Sequence, residues 1–236
     1  MRARVLCGLR IILTASLVVG AMTAQAVAAD GVWAFEVRVL DIVPIDDDGD
    51  LTVPAPIGTS GRHGIDFLDA VVPELALSAQ VTEKFALSLS AALANFDVEL
   101  DVEGAGTFLL GDADMSLVQL AGLFDVAVWN GNRVRLGPIL AYATFDNIDI
   151  SDVANARANV GGAPLDSDML FGAELRLDSE IGRSGWYFSS NVRYLSGGPT
   201  MEVFINDPSS GAFRQAARGD VDFDPLLLAL GFGYRY

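Results

Sequence analysis

The sequence predicts an all-β chain folded as an eight-stranded antiparallel transmembrane β-barrel, with short turns at one end and long loops at the other. Three observations carry this. Period-two alternation recurs in eight segments, each setting an apolar face against a small, polar or charged one. The connections between the segments alternate long and short, and both the first and the last are long. No segment of helical type beyond the N-terminal region reaches the ~18 apolar residues that a spanning helix needs.

The N-terminal region reads as a signal peptide. Arg2, Arg4 and Arg10 precede and enter an apolar run from Ile11 to Ala21, and Ala26-Val27-Ala28 has the small-x-small form of a cleavage site. Residues 1–28 are the expected signal peptide and 29–236 the barrel domain. Cys7, the only cysteine, falls in the removed part, before the apolar core, so neither lipid attachment nor a disulfide framework is expected. The whole chain has 31 acidic and 15 basic residues. Losing three arginines leaves the mature chain more negative still, which excludes the basic patches of a nucleic-acid binder. A hydrophobic content of 51% excludes acidic disorder.

The first segment is Trp33 to Val43, with Trp33, Phe35, Val37 and Val39 on one face and Ala34, Glu36, Arg38 and Leu40 on the other. The second, Val71 to Val81, sets Val71, Pro73, Leu75, Leu77, Ala79 and Val81 against Val72, Glu74, Ala76, Ser78 and Gln80. Thr82-Glu83-Lys84 turns the chain into a third segment, Phe85 to Ala94, forming a hairpin. Alternation persists into the second long connection, from Asn95 to about Ala113. There Phe96, Val98, Leu100 and Val102 interleave with acids, which reads as strands running on into water. The fourth segment, Met115 to Val128, turns at Asn130-Gly131-Asn132, a strong hairpin signal, into the fifth, Arg133 to Phe145. The sixth and seventh, Asp168 to Glu180 and Trp186 to Leu195, are joined by Gly182-Arg183-Ser184-Gly185. In the eighth, Leu226, Leu228, Leu230, Phe232, Tyr234 and Tyr236 oppose Ala229, Gly231, Gly233 and Arg235. From this last stretch alone, a half-buried strand of a soluble sheet is the competing reading.

The long loops hold little recognisable chemistry. Asp46-Asp47-Asp48-Gly49-Asp50 lacks the twelfth-position glutamate and flanking helices of a calcium-binding hand, so it reads as a solvated loop. The lone His63, near Ser60 and Asp66, makes a hydrolytic triad conceivable but is ordinary loop composition; no catalytic residue, metal site or cofactor is expected. The Ala-rich stretch Ile150 to Val160 has the composition of a short helix, stopped by Gly161-Gly162-Ala163-Pro164.

Two eight-stranded barrels fit this order. A secreted lipocalin-like barrel keeps a dry cavity and a wet outside. Here one face of nearly every segment is hydrocarbon and the other carries charge, so that arrangement would bury the charges and wet the hydrocarbon. The membrane barrel is preferred, with both termini periplasmic and Trp33, Phe85, Trp129, Trp186 and Tyr236 forming the inner aromatic girdle. The inward charges Glu36, Arg38, Glu74, Arg135, Glu174, Arg176 and Arg193 are the candidate lumenal network. Arg135 and Arg176 are expected to pair with acids such as Glu36, Glu74 or Glu174, with the particular pairs left open. A barrel of this size is about wide enough for side chains to fill. Apolar residues Leu51, Val53, Ile57, Phe204, Ile205 and Phe213 are the candidate loop entrance, and Pro73, which lacks a ladder donor, the candidate lateral opening.

Asp224-Pro225 entering the last segment, Gly233-Tyr234-Arg235-Tyr236 ending it, Val81-Thr82-Glu83-Lys84-Phe85 at the first turn, and Gly137-Pro138 with Tyr142-Ala143-Thr144-Phe145 in the fifth segment carry a family resemblance. Over almost the whole mature chain the sequence resembles the OmpW-like outer-membrane proteins of Gram-negative bacteria. The acidic first loop departs from the Gly-rich stretch usual in that family. The resemblance implies an outer-membrane location, lipid as the surrounding partner, and passive passage of small, mainly hydrophobic molecules by a side opening. The C-terminal strand ending in Tyr236 is the expected signal to the barrel-assembly machinery. A non-transporting structural, adhesive or stress-related barrel is the alternative.

Overall fold

A computed structural model describes residues 33–45, 63–102, 106–152, 160–206, 213–220 and 223–236. The expected signal peptide and the acidic run 46–50 lie outside these residues, as does most of the Ala-rich stretch of the third loop.

Eight long strands close into a ring. They are β1 (Trp33–Pro44), β3 (Ala70–Thr82), β4 (Phe85–Val102), β5 (Gly106–Trp129), β6 (Asn132–Phe145), β9 (Asp168–Glu180), β10 (Trp186–Ser196) and β13 (Pro225–Arg235). Each pairs antiparallel with the next, and β1 pairs with β13 to complete the circle. Closure gives every ring strand a neighbour on both edges, as a sheet in lipid requires. The tight turn between β5 and β6 is made by Asn130 and Gly131, both at positive φ (44° and 79°), the twist that suits a two-residue hairpin.

Burial follows the alternation. On β1 the odd residues Phe35, Val37 and Val39 are exposed, while Ala34, Glu36, Arg38 and Leu40 are buried. The same holds for Leu75, Leu120, Phe124, Leu136, Phe171, Leu175, Val192, Leu230 and Phe232, all of them exposed large apolar side chains. A band of this extent has no place on a soluble monomer and matches a lipid-facing wall. Trp129, Trp186 and Tyr236 are exposed near the turn end.

The loop end differs from the sequence expectation in one respect. The stretch read as a second long connection is largely ladder: β4 and β5 run on as a hairpin to Val102 and Gly106. The expected alternation persists along it: Asp97 is exposed and Glu99 half-buried, while Phe96, Val98 and Leu100 are buried on the inner side. The cause is further strand structure in the loops. β2 (His63–Phe67) pairs with the far part of β4, and β7 (Asp149–Ile150) pairs with β5. β8 (Val160–Gly162), β11 (Thr200–Asn206) and β12 (Phe213–Asp220) form a separate three-stranded sheet. Met201, Val203, Ala163 and Leu165 from these loop segments are buried in the same apolar cluster as the loop-end lumen.

Candidate functional site

The lumen has two halves of opposite chemistry. Towards the turn end the inward residues are ionic. Among the described residues, the buried charges are four arginines (Arg38, Arg135, Arg176, Arg193) and four acids (Glu36, Glu74, Glu174, Asp178), so the set is formally neutral. Glu36 sits at its centre. It accepts from Arg38 Nε and Nη2 at 2.8 and 2.6 Å, and from Arg176 Nη2. Glu74 accepts from Arg38 Nη1 at 3.1 Å and from Arg193 Nη1 and Nη2 at 2.6 and 2.9 Å. Glu174 lies 3.5 Å from Arg193 Nε. Residues from β1, β3, β9 and β10 are thereby tied across the lumen. Such pairing is what makes buried charge tolerable.

Arg176 thus meets Glu36, while Arg135 pairs with two aspartates and none of the three glutamates named for it. Its Nε donates to Asp125 at 2.9 Å, its Nη1 to Asp178 at 3.1 Å and its Nη2 to Gln80 at 2.9 Å. Asp178 also accepts from Arg176 Nε at 2.8 Å, linking the two arginines. Asp125 and Asp178 flank Arg135 because β5 and β9 are its ladder neighbours, a relation that no single-strand pattern shows. Ser189 Oγ, both amide atoms of Asn191 and Glu174 Oε1 are buried without a protein partner among the described residues. Groups of this kind are ordinarily satisfied by ordered water.

Above Arg235, which reaches Asp178 at 3.7 Å, β13 presents small residues to this plug at Gly233, Gly231 and Ala229, which is why the plug fits. A Cβ on Gly233 would run into the Tyr187 ring and Glu36 Cγ; one on Gly231 would run into Arg38 and the Val37 carbonyl. Gly233→Ala should therefore destabilise the barrel by about 1–3 kcal/mol through overpacking. Urea unfolding in lipid vesicles measures this, and unchanged stability would show that the plug can shift to make room.

Towards the loop end the lumen is apolar. Leu40, Ile42, Ile65, Ala92, Ala94, Leu110, Met115, Leu117, Ile139, Ala141 and Leu227 line it. At its centre four rings meet. Phe223 packs against Phe67, Phe96 and Phe145 at centroid separations of 5.3, 5.6 and 5.7 Å, each close to edge-on. These rings come from β2, β4, β6 and the segment before β13, and only their three-dimensional convergence identifies them as a set.

Beside this half the wall is interrupted. The β3–β4 register ends at Glu74↔Ala92. Above it Ala70 to Pro73 pair only with β1, and Leu93 to Asp97 only with β5. The wall resumes where Leu68 N donates to the Asp97 carbonyl at 3.0 Å and Phe67 pairs with Val98. A cavity of about 490 Å³ lies in the break, lined by Asp69, Ala70, Val71, Val72, Leu93, Ala94, Asn95 and Asp114. Pro73 is the first residue above the last β3–β4 pair and faces outward. Of the residues considered for a loop entrance, Leu51, Val53 and Ile57 lie outside the described residues. Phe204 is half-buried in β11, with Ile205 beside it in that strand and Phe213 in β12. His63 and Asp66 belong to β2, and Ser60 lies outside the described residues.

No protein family and no curated protein matches the chain at the level of sequence. Solved structures do match in fold. The outer membrane protein OprG of Pseudomonas aeruginosa superposes with a TM-score of 0.73 at 20% identity, over 87% of this chain and 96% of OprG. Outer membrane protein AlkL, determined in lipid bilayers, gives 0.61 at 16% identity, over 87% and 90% of the two chains. A major outer membrane protein from Thermus thermophilus gives 0.52 at 14% identity, over 87% and 99%. In fold, the chain is therefore a small eight-stranded barrel of the kind built by OprG and AlkL, which stand among the OmpW-like outer-membrane proteins.

Proposed function

We propose that this protein is an outer-membrane barrel through which small, mainly hydrophobic molecules pass without energy input. They enter at the loop end and leave sideways, between β3 and β4, into the bilayer. One observation carries the reading: the lumen is apolar down to the level of the wall break and ionic below it. An apolar solute that reaches the break would have to disrupt buried, mutually paired charges to go further. The break, where Val71, Val72 and Leu93 stand beside Asp69, Asn95 and Asp114, instead opens sideways through the wall. The turn end, with both termini, then faces the periplasm. The lipid-facing band, the fold shared with outer-membrane proteins and the OmpW-like sequence pattern support the location.

Two measurements test this. Cell fractionation should recover the protein in outer membrane, with gel mobility that changes on boiling; a soluble periplasmic monomer would overturn the location. Purified protein in liposomes should pass an apolar solute faster than a hydrophilic one of similar size. Equal or faster passage of the hydrophilic solute would replace the lateral route by an aqueous pore. Passage of neither would favour a structural barrel, a reading helped by the four rings that fill the apolar half.

A further inference from the structure

We propose that Phe223 is a stopper: its ring occupies the place where a solute with a single aromatic ring binds, and exchange of one ring for the other controls access to the β3–β4 break. This rests on the transport reading and names the solute class that the site prefers.

Three features of the molecule carry it. The first is the shape of the cage. Phe223 is 1% exposed and meets Phe67, Phe96 and Phe145 at interplanar angles of 71°, 87° and 89°. Edge-to-face contacts draw on the ring quadrupole and add to simple area burial. A cage that offers three of them to a phenyl ring offers the same to benzene or toluene. A linear alkane of equal area gains none of that increment.

The second feature is the mounting of the ring. Phe223 and Asp224 precede β13 and take no part in the ladder. They are held by the Asp224 carboxylate, which accepts from Tyr194 Oη at 3.0 Å and Gly197 N at 2.8 Å, and by the Asp224 carbonyl, which accepts from Ile45 N at 3.3 Å. Besides the ring packing itself, these are the contacts among the described residues that hold the segment, and breaking them frees the ring while β1–β13 stays paired. The other three rings belong to β2, β4 and β6, whose ladders fix them.

The third is position. Phe96 stands two residues from Ala94, which lines the break, and Phe67 precedes Leu68, whose N–H closes the upper edge. A solute that takes the place of Phe223 is thus next to the exit.

The test uses full-length protein with Phe223→Ala, and Phe223→Leu as a milder variant that keeps more of the packing. Removing a phenyl group from an apolar core leaves a dry cavity of the kind that takes up benzene. Fluorobenzene should therefore raise the melting temperature of the variants in detergent and leave that of the wild type unmoved, and n-hexane should raise it less. In liposomes the variants should pass fluorobenzene faster than the wild type does, with a smaller gain for n-hexane. If the wild type passes apolar solutes but the variants pass and bind fluorobenzene no better, the stopper falls and the transport reading stands. Equal gains for n-hexane would overturn the aromatic preference. Variants and wild type that are all impermeable to both solutes would overturn the transport reading and the stopper with it.

Discussion

Replacing Glu36 by Gln should lower the unfolding free energy of the barrel by roughly 3–5 kcal/mol, the loss expected when one partner of a buried ion pair is removed. Glu36 is fully buried and touches two guanidinium groups, those of Arg38 and Arg176. Without its charge, the two cations face each other across a neutral amide. Each keeps one other acid, Glu74 for Arg38 and Asp178 for Arg176, so the plug is damaged and not dissolved. Glu174→Gln is the internal control. Glu174 meets Arg193 only at 3.5 Å, and Arg193 keeps two hydrogen bonds to Glu74, so the loss should be much smaller. Urea titration in vesicles, followed by tryptophan fluorescence, compares the two. Added salt should rescue neither, because buried pairs are weakly screened. Equal stability of both variants and the wild type would mean that the plug is wet enough to shield its charges.

Ala94→Trp should bring apolar uptake in liposomes down to the protein-free background. Ala94 is buried on β4, pairs with Met115 of β5 and borders the break. A tryptophan there has the space of the break to occupy, and would fill the route with its own indole. Pro73→Ala should act in the same direction from the other side. It restores a backbone donor next to the Glu74↔Ala92 pair and favours extension of the ladder upward. Leu230→Trp, on the exposed wall formed by β13, should leave uptake unchanged while adding an indole of the same size. Normal apolar uptake by a folded Ala94→Trp barrel would remove the break from the pathway.

The ring strands were legible because one physical constraint governs them. Each must show hydrocarbon on one side and something else on the other, and Trp33–Pro44 or Pro225–Arg235 state that residue by residue. The loop strands obey a weaker constraint. β2 pairs with the far part of β4, and β11 pairs with both β8 and β12, so their partners and not lipid decide their pattern. For the same reason Asp97, Glu99 and Asp101 signalled water while Phe96, Val98 and Leu100 in the same strand face inward and are buried in one cluster with Ile65 and Phe67 of β2. In the lumen, period two selects the face and leaves the height open. Height depends on how strands are staggered around the ring, and that stagger set Asp125 and Asp178 beside Arg135. The wall break has a sequence trace only in Pro73, because an unpaired stretch of ladder is a relation between strands.

The seam between β1 and β13 bears on how the barrel comes into being. Eleven consecutive residue pairs, Ala34↔Arg235 to Pro44↔Pro225, join the first described strand to the last. Contacts of such high sequence separation carry the largest loop-closure entropy and form slowly. Until β13 arrives, both ends of the sheet are open edges, the state that invites pairing with other chains. The plug adds a second condition. Glu36 and Arg38 ride on β1 and meet Arg176 of β9 and Glu74 of β3, so the charges find all their partners only when the circle is complete. Before that moment the interior carries unmatched charge; afterwards it is neutral and locked. Closing the β1–β13 seam thus completes the wall and the cross-lumen ion pairs together.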